Sequence, residues 1–360
     1  MRGIVTSMDR PTIIDVARLA GVSKKTVSRV INNSPLIAKA TRERIEGIIA
    51  ETGFVPDPTA RALALRRNFL IALVHNDPIS PALMEAQAGM AAALKGSEYA
   101  ICMHYLDSRP GLQLRALGDF LEYHRPSGIV LMPALAGNDE LAGLAWEFGC
   151  GCARLGLEPK SGDPGRFSTD DRRAAADAVH HLLGMGHRRI GFIAGGAGMR
   201  QAQLRELGYL DAMAEHDLDR GPSLIASGDG SFESGLAAAS LLLEVSPRPT
   251  AILAASDEMA AGAIHAALSK GIAVPHELSV IGFGDAPIAP AIWPPLTTMR
   301  VPLLEMAHAA ASWLIDPEQG EPAMRQFGLE LIERASAHRL RPARQRHLPS
   351  SSSRDRDQAR

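Results

Sequence analysis

The chain has 360 residues, more than one ordinary domain, and carries 46% hydrophobic and 22% charged residues, an unremarkable soluble composition. No apolar run approaches the ~20 residues a membrane helix needs, and Met1 to Arg10 lacks the apolar core of a secretion signal, so no membrane and a cytoplasmic location are expected. The net charge of −2 conceals an asymmetry: residues 1–67 hold twelve Lys/Arg against six Asp/Glu, a net +6, leaving −8 for the rest. A basic head on an acidic body points to a polyanion met by the head alone, although a solvated charged surface would give the same count.

The first predicted helix runs from Thr12 to Ala20. Thr12 and Asp15 stand three apart as a variant capping box, and Ile13, Val16, Ala17 and Ala20 share one face. Gly21 can take the left-handed conformation that ends this helix. Ser23 caps a second helix, Lys24–Asn32, whose buried face is Val27, Val30 and Ile31. The small Ala17 and Ala20 let the two cross closely, which is helix-turn-helix geometry, with the second helix suited to the major groove. A third helix follows over Thr41–Thr52, with Ile45, Ile48 and Ile49 as its stripe and Gly53 as its stop.

Pro56-Asp-Pro58 marks a break before one short helix ending at Arg67. Beyond it, Phe69–Val74, Ala100–His104, Gly128–Met132, Ile190–Ala194, Ala251–Ala255 and Ser279–Gly282 are apolar runs separated by helical stretches. They read as parallel strands buried on both faces. The alternation predicts doubly wound α/β units, and the length suggests two lobes. The organisation expected is a helix-turn-helix domain over 1–55, a hinge over 56–68 and a two-lobed body over 69–340. A Ser/Arg/Asp-rich tail over 341–360 has nothing to bury and reads as disordered. Cys150 and Cys152 lack a second Cys or His pair at zinc spacing and read as buried free thiols, and no metal or cofactor is expected.

The stretch Thr-Ile-Ile-Asp-Val-Ala-Arg-Leu-Ala-Gly-Val-Ser-Lys-Lys-Thr-Val-Ser-Arg-Val-Ile-Asn-Asn over 12–33 resembles the signature of the lactose repressor (LacI/GalR) family. The resemblance continues through Ser168-Thr-Asp-Asp171, Leu182 to Gly195, Thr250 to Gly262, Val280-Ile-Gly-Phe-Gly-Asp285 and Trp293 to Thr298, covering residues 12 to about 340. It implies an all-α head on two doubly wound, periplasmic-binding-protein-like lobes with an effector in the cleft between them. It also implies base reading by Lys24, Lys25 and Arg29, which can donate to guanine edges. Thr12, Ser23, Thr26, Ser28 and Asn32 suit phosphate contacts that set register. In the hinge, Leu63 matches the family's leucine that wedges into the minor groove of the operator; an ordinary linker is the alternative.

Matched position by position, Arg205 corresponds to the family's effector-binding arginine and Asp170 and Asp171 to its Asp-Asn pair. Ser256 matches the Asn or Ser before the next Asp, and Asp285 the second acid of a Gly-aromatic-Asp-Asp motif. Such groups suit a polyhydroxylated ligand, a carbohydrate, although each acid could instead cap a helix or form an ion pair. Three positions depart from the pattern. Gly284 replaces the first acid of that motif, and Gly230 and Ala82 stand where aromatics are common.

The implied protein is a regulator, repression being the family's usual outcome, that binds a palindromic double-stranded operator on the bacterial nucleoid as a homodimer or higher oligomer. A ligand carrier without an operator is the alternative. An enzyme is disfavoured: Ala194-Gly-Gly-Ala-Gly198 lacks nucleotide-fingerprint spacing, and His180, His181 and His187 read as helix C-terminal dipole partners.

Overall fold

A computed structural model describes residues 11–31, 34, 36–55, 68–107, 109, 111–158, 160, 163–196, 199–317 and 324–340. The expectations for Asn32, Leu63, the hinge before Asn68 and the tail fall outside these residues.

Three helices form the head: α1 (Ile13–Leu19), α2 (Lys24–Ile31) and α3 (Lys39–Thr52). Their apolar faces meet in a small core of Val16, Ala17, Ala20, Val27, Val30, Ile45 and Phe54. Helix α3 starts two residues before the predicted Thr41, because the Ala38 carbonyl accepts from the N–H groups of both Thr41 and Arg42.

The chain divides into two compact units. The first comprises residues up to Leu155, Lys160–Arg166 and Leu304–Met324; the second comprises Gly156–Pro159, Phe167–Leu303 and the remainder. The first unit carries β1 (Asn68–His75), α4 (Pro81–Leu94), β2 (Ala100–Tyr105), α5 (Leu112–His124) and β3 (Pro126–Leu131). These are followed by α6 (Pro133–Ala136), α7 (Asp139–Glu147) and β4 (Gly151–Leu155). Its strands belong to a sheet of order β11-β5-β4-β3-β1-β2, in which β5 (Arg166–Thr169) and β11 (Met324–Phe327) straddle the division between the units.

The second unit repeats the plan. In chain order it holds α8 (Asp171–Gly184), β6 (Ile190–Ala194), α9 (Arg200–Glu215), β7 (Ile225–Ser227) and α10 (Phe232–Leu242). Next come β8 (Ala251–Ala254), α11 (Asp257–Ser269), β9 (Ser279–Gly284), α12 (Ile288–Ala291) and β10 (Thr297–Arg300). Helix α13 (Leu303–Ile315) passes back to the first unit, and β12 (Glu330–Ile332) closes the second sheet in the order β12-β10-β9-β8-β6-β7. All its described pairings are parallel except β10 with β12. Chain order reverses between β6 and β8, and the crevice in which doubly wound sheets bind ligands lies beyond the strand carboxyl ends at such a switch point.

The six apolar runs all form strands. One expectation needs correction: β2 is not buried on both faces. It is an edge strand pairing with β1, and Met103 and Tyr105 are exposed. The shorter strands were not legible as apolar runs because they carry polar groups satisfied internally. In β4, Arg154 is buried, with Nε on the Ala136 carbonyl (2.6 Å) and Nη2 on Asp139 (2.6 Å). Cys150 and Cys152 are buried free thiols, pushed up to about 12 by burial. Among the described residues no helix is long and apolar enough to cross a membrane.

Candidate nucleic-acid interface and ligand site

The turn of the head is built as its residues require. Asp15 accepts hydrogen bonds from the Thr12 N–H (3.0 Å) and Thr12 Oγ1 (2.7 Å), and these bonds hold its carboxyl below the usual range. Gly21 sits at φ +62°, where a side chain would be strained although space for a Cβ is open. The Ser23 hydroxyl then accepts from the Thr26 N–H (3.1 Å) and pairs with Thr26 Oγ1 (2.9 Å), starting α2. Sequence reasoning missed Arg42. From α3 its guanidinium donates to the carbonyls of Ser34 (2.7 Å) and Val30 (3.5 Å), closing the carboxyl end of α2.

With Val27 and Val30 turned inward, α2 presents Lys24, Lys25 and Arg29 to solvent. Among the described residues these three cations form no ion pair. Ser23 is exposed beside them, Thr26 and Ser28 are half-buried, and Thr12 is exposed at the start of α1. The result is an eight-residue helix with a cationic outer face and hydroxyls at its margin, a combination that can reach base edges and phosphates together.

The five ligand candidates all lie in the second unit: Asp170, Asp171, Ser256 and Asp285 follow strand carboxyl ends, and Arg205 lies inside α9. Asp171 and Arg205 form a pair, Nε to Oδ1 at 2.7 Å, with Asp171 only 1% exposed. Thr169 Oγ1 donates to the other Asp171 oxygen at 2.5 Å. Arg205 Nη1 donates to the Ala255 carbonyl (2.7 Å), which leaves β8 at the sheet's reversal point, and the guanidinium lies 3.8 Å from the centre of the Phe283 ring. Two of its five N–H donors are engaged by these bonds, so the remaining edge can donate to a ligand. Ser256, next in sequence, caps α11 through the Met259 N–H and donates to the Gly230 carbonyl, both at 3.2 Å.

Asp170 and Asp285 behave differently. Asp170 caps α8 through the Arg173 N–H (3.1 Å) and lines a depression of about 390 Å³ with Arg173 and Gln326. Asp285 is clamped by Arg334 (2.6 Å) and Arg300 (2.8 Å). The structure therefore brings Asp171, Arg205 and Ser256 together, and commits Asp170 and Asp285 to capping and ion pairing.

Sequence reasoning also missed Asp257. Fully buried, it accepts from Thr298 Oγ1 (2.5 Å) and the Ala286 N–H (2.6 Å), yet burial dominates and pushes its carboxyl up to about 6. A Cβ at Gly284 would stand 3.2 Å from Asp257 Oδ2, so an acid there would crowd this carboxylate. Phe283 is the aromatic of the Gly-aromatic-Asp-Asp motif itself, and that position is the signal that could have marked it as a site residue. The three histidines diverge. His187 is buried between Thr250 Oγ1 (2.9 Å) and the His338 carbonyl (3.0 Å), with its pKa lowered by burial. His181 Nε2 is buried without a hydrogen-bond partner among the described residues, and His180 pairs with Glu215.

Comparison with known proteins agrees with both regions. Residues 12–57 match the family described as bacterial regulatory proteins, lacI family, and residues 179–337 match the periplasmic binding protein-like domain. The chain is 32% identical over 323 residues to the transcriptional regulator CelR of Thermobifida fusca, covering 87% of this chain and 93% of that protein. It is likewise 32% identical over 345 residues to the transcriptional repressor CytR of Escherichia coli K12, covering 91% and 97%. Among solved structures, a CelR–cellobiose complex superposes with TM-score 0.67 at 30% identity, covering 91% of this chain and all of that one. A Lac repressor bound to ONPG superposes with TM-score 0.73 at 25% identity, covering 91% of this chain. The chain belongs to the LacI family of bacterial transcriptional regulators, with a DNA-binding helix-turn-helix head and two parallel-sheet α/β lobes.

Proposed function

We propose that this regulator binds a palindromic operator as a homodimer and represses the adjoining genes, acting at the nucleoid under the control of a small carbohydrate. The observation that carries the DNA half is the outer face of α2. Lys24, Lys25 and Arg29 stand exposed on a helix whose other face is locked into the head core. In this reading they donate to base edges, while Thr12, Ser23, Thr26, Ser28 and Asn32 set register on phosphates. Leu63 supplies an apolar wedge at the centre of the site. Leu63→Ala then weakens operator binding while dimerisation, measured by sedimentation, stays unchanged.

Support for the carbohydrate comes from the second unit and from a relative solved with cellobiose. Arg205 keeps N–H donors beyond its bonds to Asp171 and to the Ala255 carbonyl at the β6/β8 reversal, and Ser256 follows Ala255 in sequence. A ligand that favours one conformation by ~1–3 kcal/mol is enough to switch DNA affinity. A thermal-shift screen of sugars tests this with Arg205→Lys, which keeps the charge on Asp171. A sugar that stabilises the wild type is expected to stabilise the variant far less; an equal shift would remove Arg205 from the site.

A further inference from the structure

We propose that His180, Glu215 and His216 form a binding site for a divalent transition-metal ion of the zinc type, on the surface of the second unit. The three come from two helices. His180 lies in α8, Glu215 ends α9, and His216 is its C-cap. The helices run side by side in the same direction, since Arg172 meets Asp211 and His180 meets Glu215. They also approach closely: a Cβ at Gly208 would stand 1.9 Å from the Arg172 carbonyl oxygen, so only glycine admits this packing. Close, parallel packing is what carries the carboxyl end of α9 up to the histidine of α8.

Each residue offers one ligand atom, and the three atoms lie within 4.8 Å of one another. His180 Nε2 and Glu215 Oε2 are 3.1 Å apart. Two donors held about 2.0–2.1 Å from a tetrahedral ion stand roughly 3.3–3.4 Å apart, so this edge is already near coordination distance. The His180 and His216 rings meet edge to face, with centroids 5.5 Å apart and planes at 71°. A small rotation brings the second imidazole to the same point.

The donor set selects the ion. Two neutral imidazoles and one carboxylate suit zinc and its neighbours, whereas magnesium and calcium take oxygen donors. Both helices direct their C-terminal partial charge toward this end, which favours a cation. Three protein ligands leave one position for water, and the exposure of Glu215 and His216 leaves the site open to exchange. A bound ion would staple α8 to α9, the two helices that present Asp171 and Arg205.

A simple His180–Glu215 ion pair is the competing account, and His216 separates the two because the pair does not need it. The test uses the full chain without an affinity tag, stripped with chelator and titrated with Zn²⁺ by calorimetry. Co²⁺ serves as a spectroscopic probe through its visible bands. One ion per chain is expected in the wild type. Affinity should fall roughly tenfold or more in His216→Ala and in Glu215→Gln and stay unchanged in His265→Ala, an exposed histidine elsewhere. Metal-free thermal unfolding checks that the variants fold, and His180→Gln provides the reading if His216→Ala does not. Absence of Zn²⁺ binding at micromolar concentration, or equal binding by the wild type and the folded ligand variants, would overturn the site.

Discussion

The outer face of α2 and the crevice of the second unit use the same side-chain chemistry in opposite ways. On α2 the cations are exposed and, among the described residues, form no ion pair. In the second unit, Arg205 is pinned by Asp171, Ala255 and Phe283, and Asp285 is held apart from it between two arginines. A DNA-reading face has to exchange water and counterions for phosphates and bases, so its charges are left solvated. A small-ligand site has to hold direction before the ligand arrives, so its charges are fixed by neighbours. Substitutions on α2 should therefore separate binding from stability, whereas substitutions in the crevice should not.

The largest expected effect breaks the crevice side of that comparison. Arg205→Ala leaves the buried Asp171 carboxylate without its partner and should cost about 3–5 kcal/mol of stability, measured by urea unfolding. A loss below about 1 kcal/mol would mean that Asp171 finds another partner.

The next concerns Asp257, whose carboxyl is raised from 3.8 to about 6 by burial. The native state then binds this proton more tightly than the unfolded state. The stability it contributes is present below pH ~4 and is lost as pH rises through about 6, a change of roughly 3 kcal/mol. Asp257→Asn should flatten that part of the stability–pH curve; an unchanged curve would show that Asp257 ionises normally.

On the head the effects move to DNA. Lys24→Ala, Lys25→Ala and Arg29→Ala should each weaken binding to the chain's preferred site by ~1–3 kcal/mol. Urea unfolding of the same variants should stay within about 0.5 kcal/mol of the wild type. A variant that loses both would place its side chain in the fold rather than on the DNA. The smallest effect sharpens the turn itself. Gly21→Ala meets no atom within 4 Å but must hold φ +62°, which costs about 1–2 kcal/mol of head stability.

These regions also differ in how far the sequence revealed them. The head was legible because its determinants are local: Thr12 with Asp15, Ser23 with Thr26, and Gly21 between them all act within four residues. The long buried strands were legible for the same reason. The crevice was legible only as a set of matched residues. The Arg205 contacts join positions 171, 205, 255 and 283, which no spacing rule connects. Asp285 shows the limit most clearly, because its fate depends on Arg334, far along the chain in β-strand-flanking backbone. Short strands such as β10, Thr-Thr-Met-Arg, were hidden because their polar side chains are satisfied by partners distant in sequence.

The central claim is that α2 reads bases in a palindromic site, and selection from a randomised duplex pool tests it most directly. The full chain, at physiological salt, should enrich a two-fold symmetric sequence, with binding that weakens steeply as salt rises. Lys25→Ala should relax the preference at one position in each half-site and leave the others intact. Enrichment of no symmetric sequence by the wild type, or of the same sequence with equal strength by the variant, would contradict the account.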